Sequence, residues 1–127
     1  MARILVVDDD EQICAIVSRL LRDEGHEPTT VVKASQAVAQ LKNHHFDLVL
    51  TDIVMPKRGG IDLIMEIRAQ QNKIPIIVMS GQIPLGGDAV AGLVSRYGAA
   101  AVLPKPFSAD ELATAVNHAL VDTGFSP

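Results

Sequence analysis

The chain is expected to fold as an α/β domain: a five-stranded parallel sheet, doubly wound, with helices on both faces. Three observations predict it. Short aliphatic runs recur at residues 4–7, 48–50 and 74–79, and they are apolar throughout rather than alternating, as strands buried on both faces are. Segments with apolar residues at helical spacing alternate with these runs. The chemically informative residues follow the strands, at the edge where an open parallel sheet presents its chemistry.

The elements follow in order. Ile4-Leu5-Val6-Val7 reads as a buried strand ending in Asp8-Asp9-Asp10-Glu11. Ile13, Ile16, Val17, Leu20 and Leu21 then recur at helical spacing, and Gly25 can close that helix. One of the acids is expected at its N-cap, where negative charge favours the helix dipole. The remaining acids crowd like charges together, which costs energy unless a cation or a proton resolves it. Residues 28–32 form a weaker strand, and Pro28 at its start predicts an edge position. Ala34, Ala37, Val38 and Leu41 predict a short helix. His44 and His45, in the connection after it, read as solvated surface rather than metal ligands.

Leu48-Val49-Leu50 is the third strand, and it ends in a carboxylate, Asp52. A helix is predicted over residues 60–71, with Ile61, Ile64, Met65 and Arg68 on related faces. Residues 74–79 form the fourth strand, ending in Ser80-Gly81. Val90, Leu93, Val94 and Tyr97 mark a further helix. Residues 100–103 are a short fifth strand that runs into Pro104-Lys105-Pro106-Phe107. Ser108 and Glu111 form a capping box for the last helix, which carries Leu112, Ala115, Val116 and Ala119. Residues 1–121 are read as one domain and 122–127 as a tail or the start of a linker. Right-handed crossovers make the sheet doubly wound. Order 2-1-3-4-5 is the natural candidate, because strands 1 and 3 would then flank a switch point.

Composition narrows the function. The chain has 127 residues, 48% hydrophobic and 20% charged, which suits a single globular core. A net charge of -4, no Trp and one Tyr argue against direct nucleic-acid binding. The one cysteine, Cys14, excludes an internal disulfide and reads as a small buried apolar residue. No apolar run approaches membrane-spanning length, so a cytoplasmic protein without membrane contact is expected.

With these assignments, Asp8 and Asp9 end the first strand, Asp52 the third, Ser80 the fourth, and Lys105 follows the fifth. In an open parallel sheet those ends share one edge. Three carboxylates there call for a hard cation with oxygen ligands, and Mg²⁺ fits. A cation, an ammonium and a hydroxyl suit a phosphoryl group. A central carboxylate can act as the nucleophile and form an acyl phosphate.

The sequence resembles the receiver domain of two-component response regulators over essentially its whole length. The resemblance rests on Ile4-Leu5-Val6-Val7-Asp8-Asp9-Asp10, Asp47-Leu48-Val49-Leu50-Thr51-Asp52-Ile53-Val54-Met55-Pro56, Gly59-Gly60, Ser80-Gly81 and Leu103-Pro104-Lys105-Pro106-Phe107, in that order and spacing. It implies a flavodoxin-like order 2-1-3-4-5. It implies that Asp52 is the phosphoacceptor, taking its group from a sensor histidine kinase or a histidine phosphotransfer domain. Asp9 would bind Mg²⁺ directly, Asp8 mainly through water, and the Val54 backbone carbonyl would complete the protein ligands with Asp52. Lys105 would pair with Asp52 and then with the phosphoryl oxygens, and Ser80 would hydrogen-bond the phosphoryl group. The Lys105–Pro106 peptide would be cis. Output would pass to a downstream effector protein, from a monomer or a phosphorylation-dependent dimer, and the domain would be a regulatory phosphoacceptor rather than an enzyme.

Three features depart from the family pattern. Val102 stands where most receivers carry Tyr or Phe, so the usual aromatic half of the switch is absent and output is expected to rest on the loop after Ser80 or on another surface. Residues 82–88, with Pro84, Gly86 and Gly87, make that loop longer than usual. Val54 is apolar where the family residue faces the attacking water, so slow loss of the phosphoryl group is expected. Two other readings compete. One is a degenerate receiver that only binds partners, against which the complete Asp8, Asp9, Asp52, Ser80 and Lys105 set argues. The other is a phosphohydrolase of the haloacid-dehalogenase type built on Asp8-x-Asp10, against which Gln12 and the lack of a lid domain argue.

Overall fold

The most apolar strands occupy the middle of the sheet. The structure is a computed structural model and describes residues 2–52, 60–70, 73–80 and 98–122. β1 (Arg3–Val7), β3 (Leu48–Asp52) and β4 (Ile76–Ser80) are interior, while β2 (Glu27–Val31) and β5 (Ala101–Pro104) form the edges. The order is β2-β1-β3-β4-β5 and every pairing is parallel. β2 carries Pro28, which has no N–H for a ladder and is tolerated at an edge. The register aligns the strand ends: Val7 lies opposite Thr51, Asp52 opposite Met79, and Ser80 opposite Pro104.

Alternation along each strand divides the core in two. Ile4, Val6, Leu48, Leu50, Ile77 and Met79 face α1 (Glu11–Asp23) and α4 (Ala109–Asp122), which cover them with Val17, Leu21, Leu112 and Val116. Leu5, Val7, Val49, Ile76 and Val78 face the other way, toward α2 (Ala34–Asn43) and α3 (Gly60–Ala69), which contribute Ala37, Leu63, Ile64 and Ile67. Burial of each large aliphatic side chain contributes about 1.5–3 kcal/mol, so these two layers dominate the stability of the sheet. Val102 is half-buried and packs against the α2–α3 layer.

The helix ends follow their local signals. Asp10 caps α1, its Oδ1 accepting from the N–H groups of Gln12 at 2.9 Å and Ile13 at 3.4 Å. At the other end Gly25 has φ +85°, with Gly25 N–H donating to the Arg22 carbonyl and His26 N–H to that of Leu21, both at 2.9 Å. This is a Schellman closure, and its left-handed residue favours glycine. The capping box of α4 forms as expected: Glu111 N–H donates to Ser108 Oγ at 3.0 Å, and Ser108 N–H to Glu111 Oε1 at 3.1 Å. His45 is exposed and its Nε2 lies 3.1 Å from the Asp47 carboxylate.

Two apolar residues at helical spacing face water. Ile16 is 55% exposed, and α1 buries Cys14, Val17, Ser18 and Leu21 instead of a face that includes Ile16. Met65 is 49% exposed, and α3 buries Leu63, Ile64 and Ile67. Helical spacing identifies an apolar stripe, but the angle at which the helix meets the sheet decides which side of the stripe is covered. Arg68, by contrast, has a structural use: its guanidinium donates to the Ile74 carbonyl at 2.8 Å and the Gly98 carbonyl at 3.3 Å, tying α3 to the segments that lead into β4 and β5. The helix expected around Val90 and Tyr97, and the loop 82–88, lie outside the described residues.

Candidate functional site

Strand endings assemble the site. Asp8 follows the last residue of β1, Asp52 is the last residue of β3, and these strands are neighbours in the sheet. Asp8 and Asp52 are buried, Asp9 is exposed, and ligand atoms of the three carboxylates all lie within 4.8 Å of one another. At that distance, with an effective dielectric near 20, two full charges repel by about 3 kcal/mol. The cluster therefore needs positive charge.

Lys105 supplies one such charge from the far side of the sheet. It follows β5, three strand positions from β1, a span of about 14 Å that its loop and long stem bridge. The Lys105–Pro106 peptide is cis, as expected. Lys105 Nζ donates to Asp8 Oδ2 at 2.7 Å and lies 3.6 Å from Asp52 Oδ2. The lysine thus pairs with Asp52, as the resemblance implies, and makes a shorter contact with Asp8 that the resemblance does not include. Asp8 is fully buried whereas Asp52 keeps slight exposure, so the ammonium settles on the carboxylate that water cannot solvate. Burial disfavours the charged lysine, but the hydrogen bond and charge of Asp8, with those of Asp52, outweigh it and hold the ammonium above its ordinary pKa.

Asp8 is further fixed by backbone contacts. Its Oδ1 accepts from Asp10 N–H at 2.9 Å, and its own carbonyl accepts from Cys14 Sγ at 3.3 Å. The Cys14 thiol is pushed up, first by burial and then by the Asp8 charge, so it stays protonated and able to donate. The sequence marks Cys14 only as a small buried apolar residue; its bond to Asp8, six positions earlier, depends on the turn between β1 and α1. Thr51 Oγ1 donates to the Asp52 carbonyl at 3.1 Å, a second contact the strand pattern did not reveal.

The other sequence-predicted residues are placed as follows. Ser80 ends β4 beside Pro104 of β5, at the same sheet edge as Asp8, Asp52 and Lys105. Val54 lies outside the described residues. Asp10 spends its carboxylate on the α1 cap, so it is not poised as the second acid of an Asp8-x-Asp10 hydrolase motif.

The donor set fits a hard divalent cation. Three carboxylates less one ammonium leave two negative charges, and clustered carboxylate oxygens with water access through Asp9 are what Mg²⁺ takes. Among the described residues no helix is long and apolar enough to cross a membrane.

Comparison with known proteins bears on the family and the fold. A family model described as the response regulator receiver domain matches residues 4–117. The chain is 40% identical over 119 residues to the DNA-binding transcriptional regulator NtrC of Azospirillum brasilense, covering 94% of this chain and 24% of that protein. It is 36% identical over 118 residues to the transcriptional regulatory protein PrrA of Mycobacterium tuberculosis, covering 93% of this chain and 49% of that one. It therefore spans a quarter to a half of these relatives. Among solved structures, a Francisella response regulator receiver domain superposes with a TM-score of 0.88 at 27% identity, covering 97% of this chain and 99% of that one. NtrX of Brucella abortus, crystallised with ATP, superposes at 0.86 with 35% identity, covering 97% of this chain and 28% of that one. From the matched family model, the relatives and the shared fold, the chain belongs to the response regulator receiver domain family.

Proposed function

We propose that this chain is a working phosphoacceptor: Asp52 receives a phosphoryl group, in a Mg²⁺-dependent step, from a histidine of a partner sensor kinase or phosphotransfer protein. The observation that carries the reading is the buried Asp52 carboxylate grouped with Asp8 and Asp9 beside the Lys105 ammonium. An Asp52 oxygen would attack phosphorus, the P–N bond to the donor histidine would break, and the released imidazole would take its proton from solvent. Mg²⁺, held by Asp8, Asp9, Asp52 and the Val54 carbonyl, would offset charge on the phosphoryl oxygens when bound. Lys105 would turn from Asp8 and Asp52 to the added oxygens, and the Ser80 hydroxyl would hydrogen-bond one of them. The domain's own chemistry would stop at this transfer and at hydrolysis of its product, in a cytoplasmic setting, with output through a downstream protein rather than direct DNA contact.

Intact-mass analysis after incubation with acetyl phosphate and Mg²⁺ tests this. One phosphoryl adduct is expected for the wild type, none without Mg²⁺ and none for Asp52→Asn. An adduct that survives Asp52→Asn but needs Asp8 would mean hydrolase chemistry instead; no adduct in the wild type would mean a binding module only. Val54 yields a separate prediction. An apolar side chain cannot orient the water that hydrolyses an acyl phosphate, so the adduct is expected to decay slowly and Val54→Asn to change its lifetime. Equal lifetimes by time-resolved mass analysis would reject that role.

A further inference from the structure

α1 and α4 lie on the same face of the sheet but leave a groove of about 230 Å³ between them. Its floor is apolar, built from Leu20 and Leu21 on α1 and Leu112, Ala113 and Val116 on α4. Asp23 and Glu24, both exposed, line it at the end of α1. The spacing of α4 adds to both features. Val121, four residues after the lining residue Asn117, is 69% exposed, an apolar side chain left in water on the same helical stripe. Asp110, exposed, stands three residues before Ala113. Among the described residues no lysine or arginine lines the groove. His26 also borders it, and its Nδ1 accepts from Ala2 N–H at 3.2 Å. Burial keeps that imidazole low in pKa, so it stays neutral at pH 7 and does not offset the acids.

From this juxtaposition of an apolar floor and a one-signed acidic rim, we propose that the α1–α4 groove docks a basic segment of a partner protein, which inserts one aliphatic or aromatic side chain and sets lysine or arginine against Asp23 and Glu24. The volume suits a single anchor, since an apolar cavity of about 150 Å³ already accepts benzene. Charge selects the partner. A second copy would bring another acidic rim and no lining lysine or arginine to the groove, in a chain whose net charge is -4. An anionic lipid surface is repelled for the same reason. A cationic segment gains from both features and is steered by them.

Leu20 and Glu24 belong to the end of α1, whereas Asp10 caps its start beside the acid cluster. Ten residues of helix separate Leu20 from Asp10, about 15 Å along the axis. On the α1 side, a partner anchored in the groove would therefore contact the helix end away from the acid cluster, while on the α4 side the groove reaches Ala109 at the start of that helix.

The test needs no phosphorylation, so it stands apart from the phosphoacceptor reading. ¹⁵N-labelled protein is titrated with an amphipathic leucine–lysine peptide, with the same leucine pattern bearing glutamate as the control. Amide shifts are expected to centre on Leu20, Glu24, Ala113 and Asn117 with the lysine peptide alone, and to weaken with salt. Asp23→Lys with Glu24→Lys is expected to weaken binding by about tenfold or more. Ala113→Phe, which fills the groove and leaves the charges alone, is expected to do the same. Shifts centred on Asp8, Asp9 and Asp52 would overturn the proposal, because the peptide would merely be neutralising the metal cluster. So would equal binding of the glutamate peptide, or affinity unchanged in both variants. Self-association of the unliganded protein that Ala113→Phe abolishes would assign the groove to a second copy and overturn the proposal as well.

Discussion

Lys105→Met is expected to destabilise the metal-free protein by about 3 kcal/mol, because it strands the fully buried Asp8 carboxylate without its ammonium. Breaking one side of a buried pair costs about 3–5 kcal/mol. The lower end applies here, since Asp8 Oδ1 keeps the Asp10 N–H. Urea unfolding in the presence of a chelator measures the loss. The double variant Asp8→Asn with Lys105→Met is expected to recover much of it, because no unpaired charge then remains. A cost under about 1 kcal/mol for the single variant would mean that water solvates Asp8 as well as lysine does.

The pH dependence of the same pair has a definite sign. The Lys105 ammonium is held above its ordinary value near 10.5, because the hydrogen bond and charge of Asp8 and Asp52 outweigh burial. A group whose folded pKa is raised contributes its full stability below the unfolded value and loses it as pH rises through the folded one. The wild type is therefore expected to lose stability in that alkaline window. Lys105→Met is expected to lack the component, leaving a flatter profile between pH 10.5 and the folded pKa.

Mg²⁺ is expected to stabilise the wild type by about 2.7 kcal/mol when present at about 100 times its Kd, as mass action requires of any ligand that binds only the folded state. The physical reason is the carboxylate cluster, whose mutual repulsion the cation relieves. Thermal unfolding in MgCl2, against NaCl of matched ionic strength, separates binding from screening. Asp9→Asn is expected to remove most of the gain with little effect on the metal-free protein, because Asp9 is exposed. In Lys105→Met the gain is expected to grow at a given Mg²⁺ concentration, since the ammonium no longer balances part of the charge. If Mg²⁺ and matched NaCl shift the transition equally, the cluster is not a cation site.

Features set by local rules are readable from the amino-acid order. Uniformly apolar runs identified the central strands around Ile4, Leu48 and Ile76, because buried parallel strands need apolar residues on both faces. Gly25 and the Ser108–Glu111 pair marked helix ends, because caps are satisfied within three or four residues. Asp8, Asp52, Ser80 and Lys105 were legible as one edge because every strand in a parallel sheet ends on the same side.

Contacts between elements far apart in the chain depend instead on how those elements pack. Lys105 meets Asp8 more closely than Asp52, a pairing across 97 residues that no local pattern encodes. Cys14 turned from filler into a donor to the Asp8 carbonyl once the path from β1 into α1 was set. Ile16 and Met65 sit at helical spacing with buried neighbours yet face water, because the rotation of a helix against the sheet is chosen by packing of the whole face. The groove between α1 and α4 has the same origin: each helix satisfies its own periodicity, and the space left where two such surfaces meet is a property of neither sequence segment alone.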